Sequence, residues 1–319
     1  MKNILVLGGR GFIGFNALRL WKQCRPQYNY VEVDGYTYAD QYLDKSKNIW
    51  LDTHDIPRFE LRLEKRDAVE SLNSIIETFN IDTIVNFSAE SHVDNSIENP
   101  NLFYESNVVG HANVLLAVKK YNLRLHYVST DEVLGVTYPN SKDVNIYSPL
   151  SPSSAYSASK ASAELITMGY IRTYGINATI SRCCNNFGPW QHPEKFIPTI
   201  ITHLENRTKI PVYGNGEQYR QWIHVDDHNM AIMDILENKS DYPIYHISSN
   251  RFGYMQNIEL IKLFVEMSGR SFEDSIEFVN DRPGHDVSYY LTNYRELEYG
   301  SNHITEKLVE LYNWYRGTV

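Results

Sequence analysis

Short, continuously apolar runs alternate with longer stretches whose apolar residues recur every three or four positions. Ile4-Leu5-Val6-Leu7, Tyr30-Val31-Glu32-Val33, Thr83-Ile84-Val85-Asn86-Phe87, Leu125-His126-Tyr127-Val128 and Ala178-Thr179-Ile180 read as buried strands. Residues 12–24, 67–79, 101–121 and 155–174 read as helices between them. Strand–helix alternation of this kind predicts βαβ units, with a parallel sheet covered by helices on both faces. After Pro189 the pattern loosens: Pro193, Pro198 and Pro211 punctuate it, and Gly214-Asn215-Gly216 reads as a turn. Ile244-Tyr245-His246-Ile247 is one more strand, returning to the first sheet, and residues 256–268 and 304–315 form amphipathic helices. The fold class is therefore α/β, a doubly wound parallel sheet with a smaller C-terminal α+β domain.

The first strand runs into Gly8-Gly9-Arg10-Gly11-Phe12-Ile13-Gly14, which opens the first helix. Gly8, Gly11 and Gly14 let the backbone turn tightly and approach a pyrophosphate at the helix N-terminus. Asp34 ends the second strand 20 residues after Gly14, where a ribose-binding carboxylate belongs. An acid there repels a 2′-phosphate, so the expected cofactor is NAD rather than NADP, and the sheet is Rossmann-type.

Tyr156 and Lys160, four residues apart in a helical stretch, share one face. A neighbouring cation favours the tyrosinate, so the Tyr156 pKa is expected to be lowered, which suits it to take a proton from a sugar hydroxyl. Ser129-Thr130-Asp131-Glu132 lies at the carboxyl end of a strand, the edge where open α/β sheets bind ligands. Adjacent carboxyls there can divide into a protonated acid and an ionised base. Successive strand residues face opposite ways, so for both to reach one ligand the strand must end near Thr130, with Asp131 and Glu132 in a turn or first helical turn.

These motifs, in this order, resemble the extended short-chain dehydrogenase/reductase family, specifically its nucleotide-sugar 4,6-dehydratases. Further landmarks are Ala89-Glu90-Ser91-His92-Val93-Asp94, Cys184-Asn185-Asn186-Phe187-Gly188-Pro189, Pro193-Glu194-Lys195, Arg220-Gln221-Trp222, Val225-Asp226-Asp227-His228 and Asp281-Arg282-Pro283-Gly284-His285-Asp286, with a weaker tail at Trp314-Tyr315. The resemblance implies that Thr130 holds the sugar 4-hydroxyl, Asp131 is the general acid, Glu132 the general base and Tyr156, with Lys160, the base for C4 oxidation. It assigns Phe12, Ile13, Asp34, Thr37, Phe87, Ser88, Ala89, Ser106, Lys160 and Asn186 to NAD. It assigns Ser91, Asn185, Lys195, Phe196, Pro211, Tyr213, Arg220, Asn257 and the run Arg282 to His285 to the nucleotide sugar. Lys195, Arg220 and Arg282 are the fixed cations a diphosphate requires. Residues 1–182 are expected to bind NAD, with 223–249 returning to that domain, and 183–222 with 250–319 to bind the nucleotide sugar.

The reaction implied is dehydration of dTDP-glucose to dTDP-4-keto-6-deoxyglucose. UDP-glucose and then a UDP-N-acetyl sugar are the next substrates. A C4 epimerase or UDP-glucuronate decarboxylase is the alternative on the same scaffold, but those relatives generally lack the Asp-Glu pair. The chain departs from the family pattern at Leu134, where tyrosine is usual, at Gly35, Asn95 and Glu64-Lys65, and near its C-terminus at Tyr299-Gly300-Ser301-Asn302. The helices 101–121 and 155–174 resemble those of a four-helix homodimer interface.

Composition removes other classes. The 319 residues allow about two domains, and a net charge of −9 argues against a chain-wide nucleic-acid footprint. Three cysteines (Cys24, Cys183 and Cys184) fit a reducing compartment, and the first apolar run is too short for a membrane span, so a cytoplasmic protein is expected. His224 and His228 sit four apart, but no third ligand is evident and no metal is expected.

Overall fold

The computed structural model describes residues 1–36, 45–139, 141, 144–238, 242–249, 253–281, 285–292 and 303–317. The chain runs β1 (Asn3–Leu7), α1 (Phe12–Cys24), β2 (Asn29–Asp34), α2 (Lys45–Thr53), β3 (Arg58–Glu60), α3 (Ala68–Phe79), β4 (Thr83–Asn86), α4 (Val93–Glu98) and α5 (Pro100–Tyr104). A π-helical turn (Glu105–Gly110) leads into α6 (His111–Tyr121), β5 (Arg124–Thr130) and a 3₁₀ turn (Asp131–Leu134). Then come α7 (Ala155–Tyr174), β6 (Asn177–Cys183), β7 (Asn185–Phe187), α8 (Phe196–Glu205), β8 (Ile210–Tyr213), β9 (Tyr219–His224), α9 (Val225–Glu237) and β10 (Ile244–Ile247). The last elements are β11 (Tyr254–Gln256), α10 (Asn257–Ser268), α11 (Phe272–Ser275), β12 (Ile276–Val279) and α12 (Ile304–Tyr315).

Seven strands form one sheet in the order β10-β6-β5-β4-β1-β2-β3, and every pairing in it is parallel. Successive strand residues face opposite sides, and both sides of β1 are apolar. Ile4 and Val6 pack with Phe15, Leu18 and Trp21 of α1 and Ile232 and Met233 of α9. Leu5 and Leu7 pack with Leu72 and Ile76 of α3 and Val114 and Val118 of α6. A strand buried on both faces reads as an unbroken apolar run, which is why the doubly wound sheet is visible in the sequence. The chain winds outward from β1 to β3 and returns at β4, so the strand order reverses beside β1 and opens a crevice at the carboxyl ends. A separate cluster joins Ile197, Ile200 and Ile201 of α8 to Leu260 and Phe264 of α10 and Leu308 and Leu311 of α12.

Two differences from the expected elements have physical reasons. Residues 101–121 are not one regular helix: α5 passes through the π turn before α6, because the buried Asn107 side chain is drawn inward to bind other elements. Helices α8 and α9 were not expected. Pro198 lies in the first turn of α8, where a missing N–H costs nothing. The four polar residues Asp226 to Asn229 mask the apolar stripe that α9 presents through Ala231, Ile232, Ile235 and Leu236.

Candidate active site

Between β1 and α1 the backbone is crowded. Gly8 has φ +75°, and a Cβ there would lie 2.7 Å from the Ser88 amide nitrogen. A Cβ on Gly14 would lie 2.2 Å from the Gly8 carbonyl oxygen. α1 starts without a side-chain cap, leaving its first amides and the positive end of its dipole facing the crevice. The Asp34 carboxylate accepts the Arg10 amide at 3.0 Å and the Tyr36 amide at 3.2 Å. Burial raises its pKa against the lowering effect of those amides. A cavity of about 380 Å³ is lined by Gly8, Gly11, Phe12, Asp34, Phe87, Ser88, Ala89 and Ser106. Glycines under a close backbone approach, an uncapped helix and a fixed carboxylate fit a dinucleotide. Thr37 lies outside the described residues.

An adjoining cavity of about 330 Å³ is lined by Ile13, Gly14, Asn186, Thr130, Asp131, Glu132, Tyr156 and Lys160. β5 ends at Thr130 and the 3₁₀ turn begins at Asp131, so the backbone bend that two carboxyls on one ligand require is present. The Thr130 hydroxyl donates to Asp131 Oδ1 at 3.1 Å and accepts the Glu132 amide at 3.4 Å. Burial and the neighbouring Glu132 charge push the Asp131 carboxyl up to about 7. Its Oδ2 is buried with no hydrogen-bond partner, a setting that favours the protonated acid.

Tyr156 and Lys160 are held by α7, whose N-terminus is fixed by a capping box between Ser154 and Ser157. Lys160 Nζ donates to the Val128 carbonyl at 2.6 Å and lies 4.4 Å from the Tyr127 ring centroid. Burial lowers its pKa to about 8. The expected lowering of Tyr156 is not found. Burial, then the Glu132 charge, hold its phenol well above the ordinary value. Helical spacing placed the cation on the right face, but Lys160 is engaged by the backbone of β5, and desolvation outweighs its field.

A third cavity, about 460 Å³, is lined by Ser91, Asn185, Lys195, Phe196, Pro211, Tyr213, Arg220, Asn257 and His285, and it meets the second at Glu132. Lys195 Nζ donates to the Ser91 carbonyl at 3.0 Å, and burial lowers its pKa. Arg220 donates to the Asp286 carbonyl at 3.0 Å with its guanidinium 4.4 Å over Tyr289. Phe196 stacks on Trp222, centroids 6.1 Å apart. Arg282 lies outside the described residues, as do residues 299–302. Among the described residues no group of three His, Cys, Asp or Glu side chains could hold a metal ion, and no helix is long and apolar enough to cross a membrane. His228 instead hydrogen-bonds Asn186 at 2.9 Å.

Sequence reasoning missed several residues of this cleft. The Asn107 side chain accepts the Glu90 amide at 2.8 Å and donates to the Glu90 carbonyl and the Ser159 hydroxyl, both at 2.9 Å. It thereby ties the loop after β4 to α7, and a π turn at a functional site is a recurring device. Glu105 and Ser106 beside Asn107 are polar as well, so nothing in the sequence singles it out. Glu90, Gln191 and His192 line both the first and second cavities. Of the departures from the family pattern, Leu134 packs against Val133, Ala161 and Leu291. Gly35 and Glu64 line the first cavity.

A sequence profile of the NAD dependent epimerase/dehydratase family matches residues 4–248. The chain belongs to this family. It is 37% identical to a dTDP-glucose 4,6-dehydratase of Mycobacterium tuberculosis over 319 residues, covering 98% of this chain and 93% of the relative. It is 38% identical to the low-salt glycan biosynthesis protein Agl12 of Haloferax volcanii, covering 90% of this chain and 89% of the relative. The crystal structure of DesIV, a dTDP-glucose 4,6-dehydratase from Streptomyces venezuelae with NAD and TYD bound, superposes with a TM-score of 0.90 at 35% identity, covering 99% of this chain and 97% of that one.

Proposed function

We propose that this chain catalyses the NAD-dependent dehydration of dTDP-glucose to dTDP-4-keto-6-deoxyglucose. The observation that carries this reading is the Asp131–Glu132 pair on its 3₁₀ turn, facing the same cavity as Thr130, Tyr156 and Lys160. Loss of water across C5–C6 needs an acid and a base; C4 epimerisation and decarboxylation do not need that pair. The names carried by full-length relatives support the same reaction.

Gly8, Gly11, Asp34 and Asn186 would hold NAD. When bound, it would supply a positively charged ring that favours the tyrosinate of Tyr156 and the hydride-accepting and hydride-donating capacity that C4 oxidation and C6 reduction require. Tyr156 removes the proton of the 4-hydroxyl, which Thr130 positions, while Lys160 is fixed by the Val128 carbonyl. With C4 a ketone, the C5 proton is acidic because the resulting carbanion delocalises into the carbonyl. Glu132 takes that proton, and Asp131 protonates the departing C6 hydroxyl as water. Lys195 and Arg220, with Arg282, neutralise the diphosphate. Ser91, Asn185, Phe196, Pro211, Tyr213, Asn257 and His285 surround the remainder of the nucleotide sugar.

One assay tests this. The chain is incubated in deuterated water with dTDP-glucose, UDP-glucose or UDP-N-acetylglucosamine, and products are read by mass spectrometry and NMR. dTDP-glucose should lose one water fastest, reduced nicotinamide should not accumulate, and solvent deuterium should enter at C5 alone. The elimination rate should fall as pH rises through about 7, as Asp131 ionises. Solvent deuterium at the new C6 position, or turnover without water loss, refutes the reading. A uridine sugar turning over faster moves the substrate to the first alternative.

The domain division above, residues 1–182 with 223–249 against 183–222 with 250–319, belongs to this reading, as does a cytoplasmic location. So does a homodimer through 101–121 and 155–174. Tyr104, Val109 and Leu116 on the first stretch and Leu165 on the second are exposed, an apolar set that pairing would bury. Light scattering should give twice the 37.1 kDa chain mass; a monomer at micromolar concentration removes the dimer.

A further inference from the structure

The C-terminal helix is packed into the smaller core, yet its last turn faces the glycine turn at the other end of the chain. Leu308 and Leu311 of α12 are buried among α8 and α10, while Trp314 and Tyr315 line the same 380 Å³ cavity as Gly8, Gly11 and Asp34. Two contacts fix that turn. The Trp314 ring meets Trp190 edge-on, centroids 5.2 Å apart, and Trp190 in turn meets Phe15 of α1 edge-on at 5.1 Å. The Tyr315 hydroxyl donates to the Gln191 carbonyl at 2.9 Å.

Gln191 is the second observation. Its side-chain nitrogen donates to the Asn186 carbonyl at 3.0 Å. Its Oε1 is buried with no hydrogen-bond partner, in a residue that lines both the first and second cavities. A buried acceptor left open is costly unless something donates to it. The Gln191 backbone carbonyl holds the Tyr315 hydroxyl, so the residue joins the last turn of α12 to the wall of both cavities.

We propose that the last turn of α12 is part of the cofactor site: Trp314 and Tyr315 close the cleft, the Gln191 carbonyl holds the Tyr315 hydroxyl in place, and together they retain NAD between turnovers. This inference rests on the reading that the chain binds NAD. It ties cofactor retention to the C-terminal core, since α12 is anchored there by Leu308 and Leu311. It also explains how a reaction that restores its cofactor in every cycle keeps it in place: the wall comes from a helix that does not carry the chemistry.

The test measures the cofactor itself. NAD is extracted from the purified chain after gel filtration and quantified, and its dissociation is followed by chase with isotopically labelled NAD. Trp314→Ala should release NAD about tenfold faster, since each factor of ten needs only about 1.4 kcal/mol of lost contact. Tyr315→Phe, which removes one hydroxyl and keeps the ring, should release it several-fold faster with the melting temperature of the NAD-free chain unchanged. Val309→Ala, on the exposed side of α12, should leave retention at the wild-type rate. If wild type carries and rebinds NAD but Tyr315→Phe and a folded Trp314→Ala release it at the wild-type rate, the inference is overturned. If Trp314→Ala does not fold, Tyr315→Phe alone decides. If wild type neither carries nor binds NAD, it is the proposed function that fails.

Discussion

Tyr156→Phe should lower kcat by about 10²–10⁴, the range for loss of a positioned general base, with dTDP-glucose still bound and no reduced nicotinamide formed at any time. The phenol is carried by the first turn of the capped helix α7 and lines the second cavity together with Thr130. In the ligand-free protein it is held protonated by burial and by the Glu132 charge, so its basicity must appear only when a cation joins it. Asp131→Asn combined with Glu132→Gln should act at the other end of the reaction. C4 oxidation continues, water loss stalls, and the absorbance of reduced nicotinamide rises transiently after mixing. Removing Glu132 also removes a charge that opposes the tyrosinate, so oxidation in the double variant should not slow. Stopped-flow absorbance distinguishes the two variants. A double variant that binds substrate but never forms reduced nicotinamide would mean that the carboxyls serve oxidation rather than elimination.

What was legible in the sequence was local. The unbroken run Ile4 to Leu7 announces a strand buried on both faces, and three glycines followed by Asp34 announce the turn after it, because each of these constraints acts within one βαβ unit. The bend at Thr130 could be deduced because two adjacent carboxyls can reach one ligand only off a strand, and the 3₁₀ turn lies there. What was not legible depends on residues far apart in the chain. The cleft wall that Trp314 and Tyr315 share with Gly8 joins the two ends of the sequence. The π turn at Asn107 exists because a loop 17 residues earlier offers Glu90 to its side chain. The sign of the Tyr156 shift was missed for the same reason. Spacing reports which face a lysine shares, but burial, set by the whole fold, decides which charge state the cavity favours.

The second large effect lies behind the catalytic helix. Tyr156, Lys160 and Glu164 follow one another at four-residue intervals along α7, so the stripe that carries the chemistry continues into the protein. Glu164 is bound there by Arg182 of β6: Arg182 Nη2 lies 2.8 Å from Oε2, and Nε lies 3.2 Å and 3.1 Å from the two carboxylate oxygens. The two side chains are 2% and 3% exposed, and Arg182 also reaches the Ile146 carbonyl at 3.4 Å. Taking one partner from a buried pair strands the other charge, so Glu164→Gln or Arg182→Met should each cost about 3–5 kcal/mol of stability. The corresponding fall in melting temperature is about 4–7 °C. The double variant Glu164→Gln/Arg182→Met should recover much of that loss, because neither charge is left alone. The pair also touches the site, since the Glu164 charge supports the protonated form of Lys160, whose pKa is lowered to about 8 by burial. In Glu164→Gln the Lys160 pKa should therefore fall further, and any activity that needs the ammonium should be lost at a lower pH than in wild type. Single and double variants that all melt with wild type would show that the pair contributes nothing net. Equal losses in the single and double variants would show that α7 is held by its apolar packing rather than by this pair.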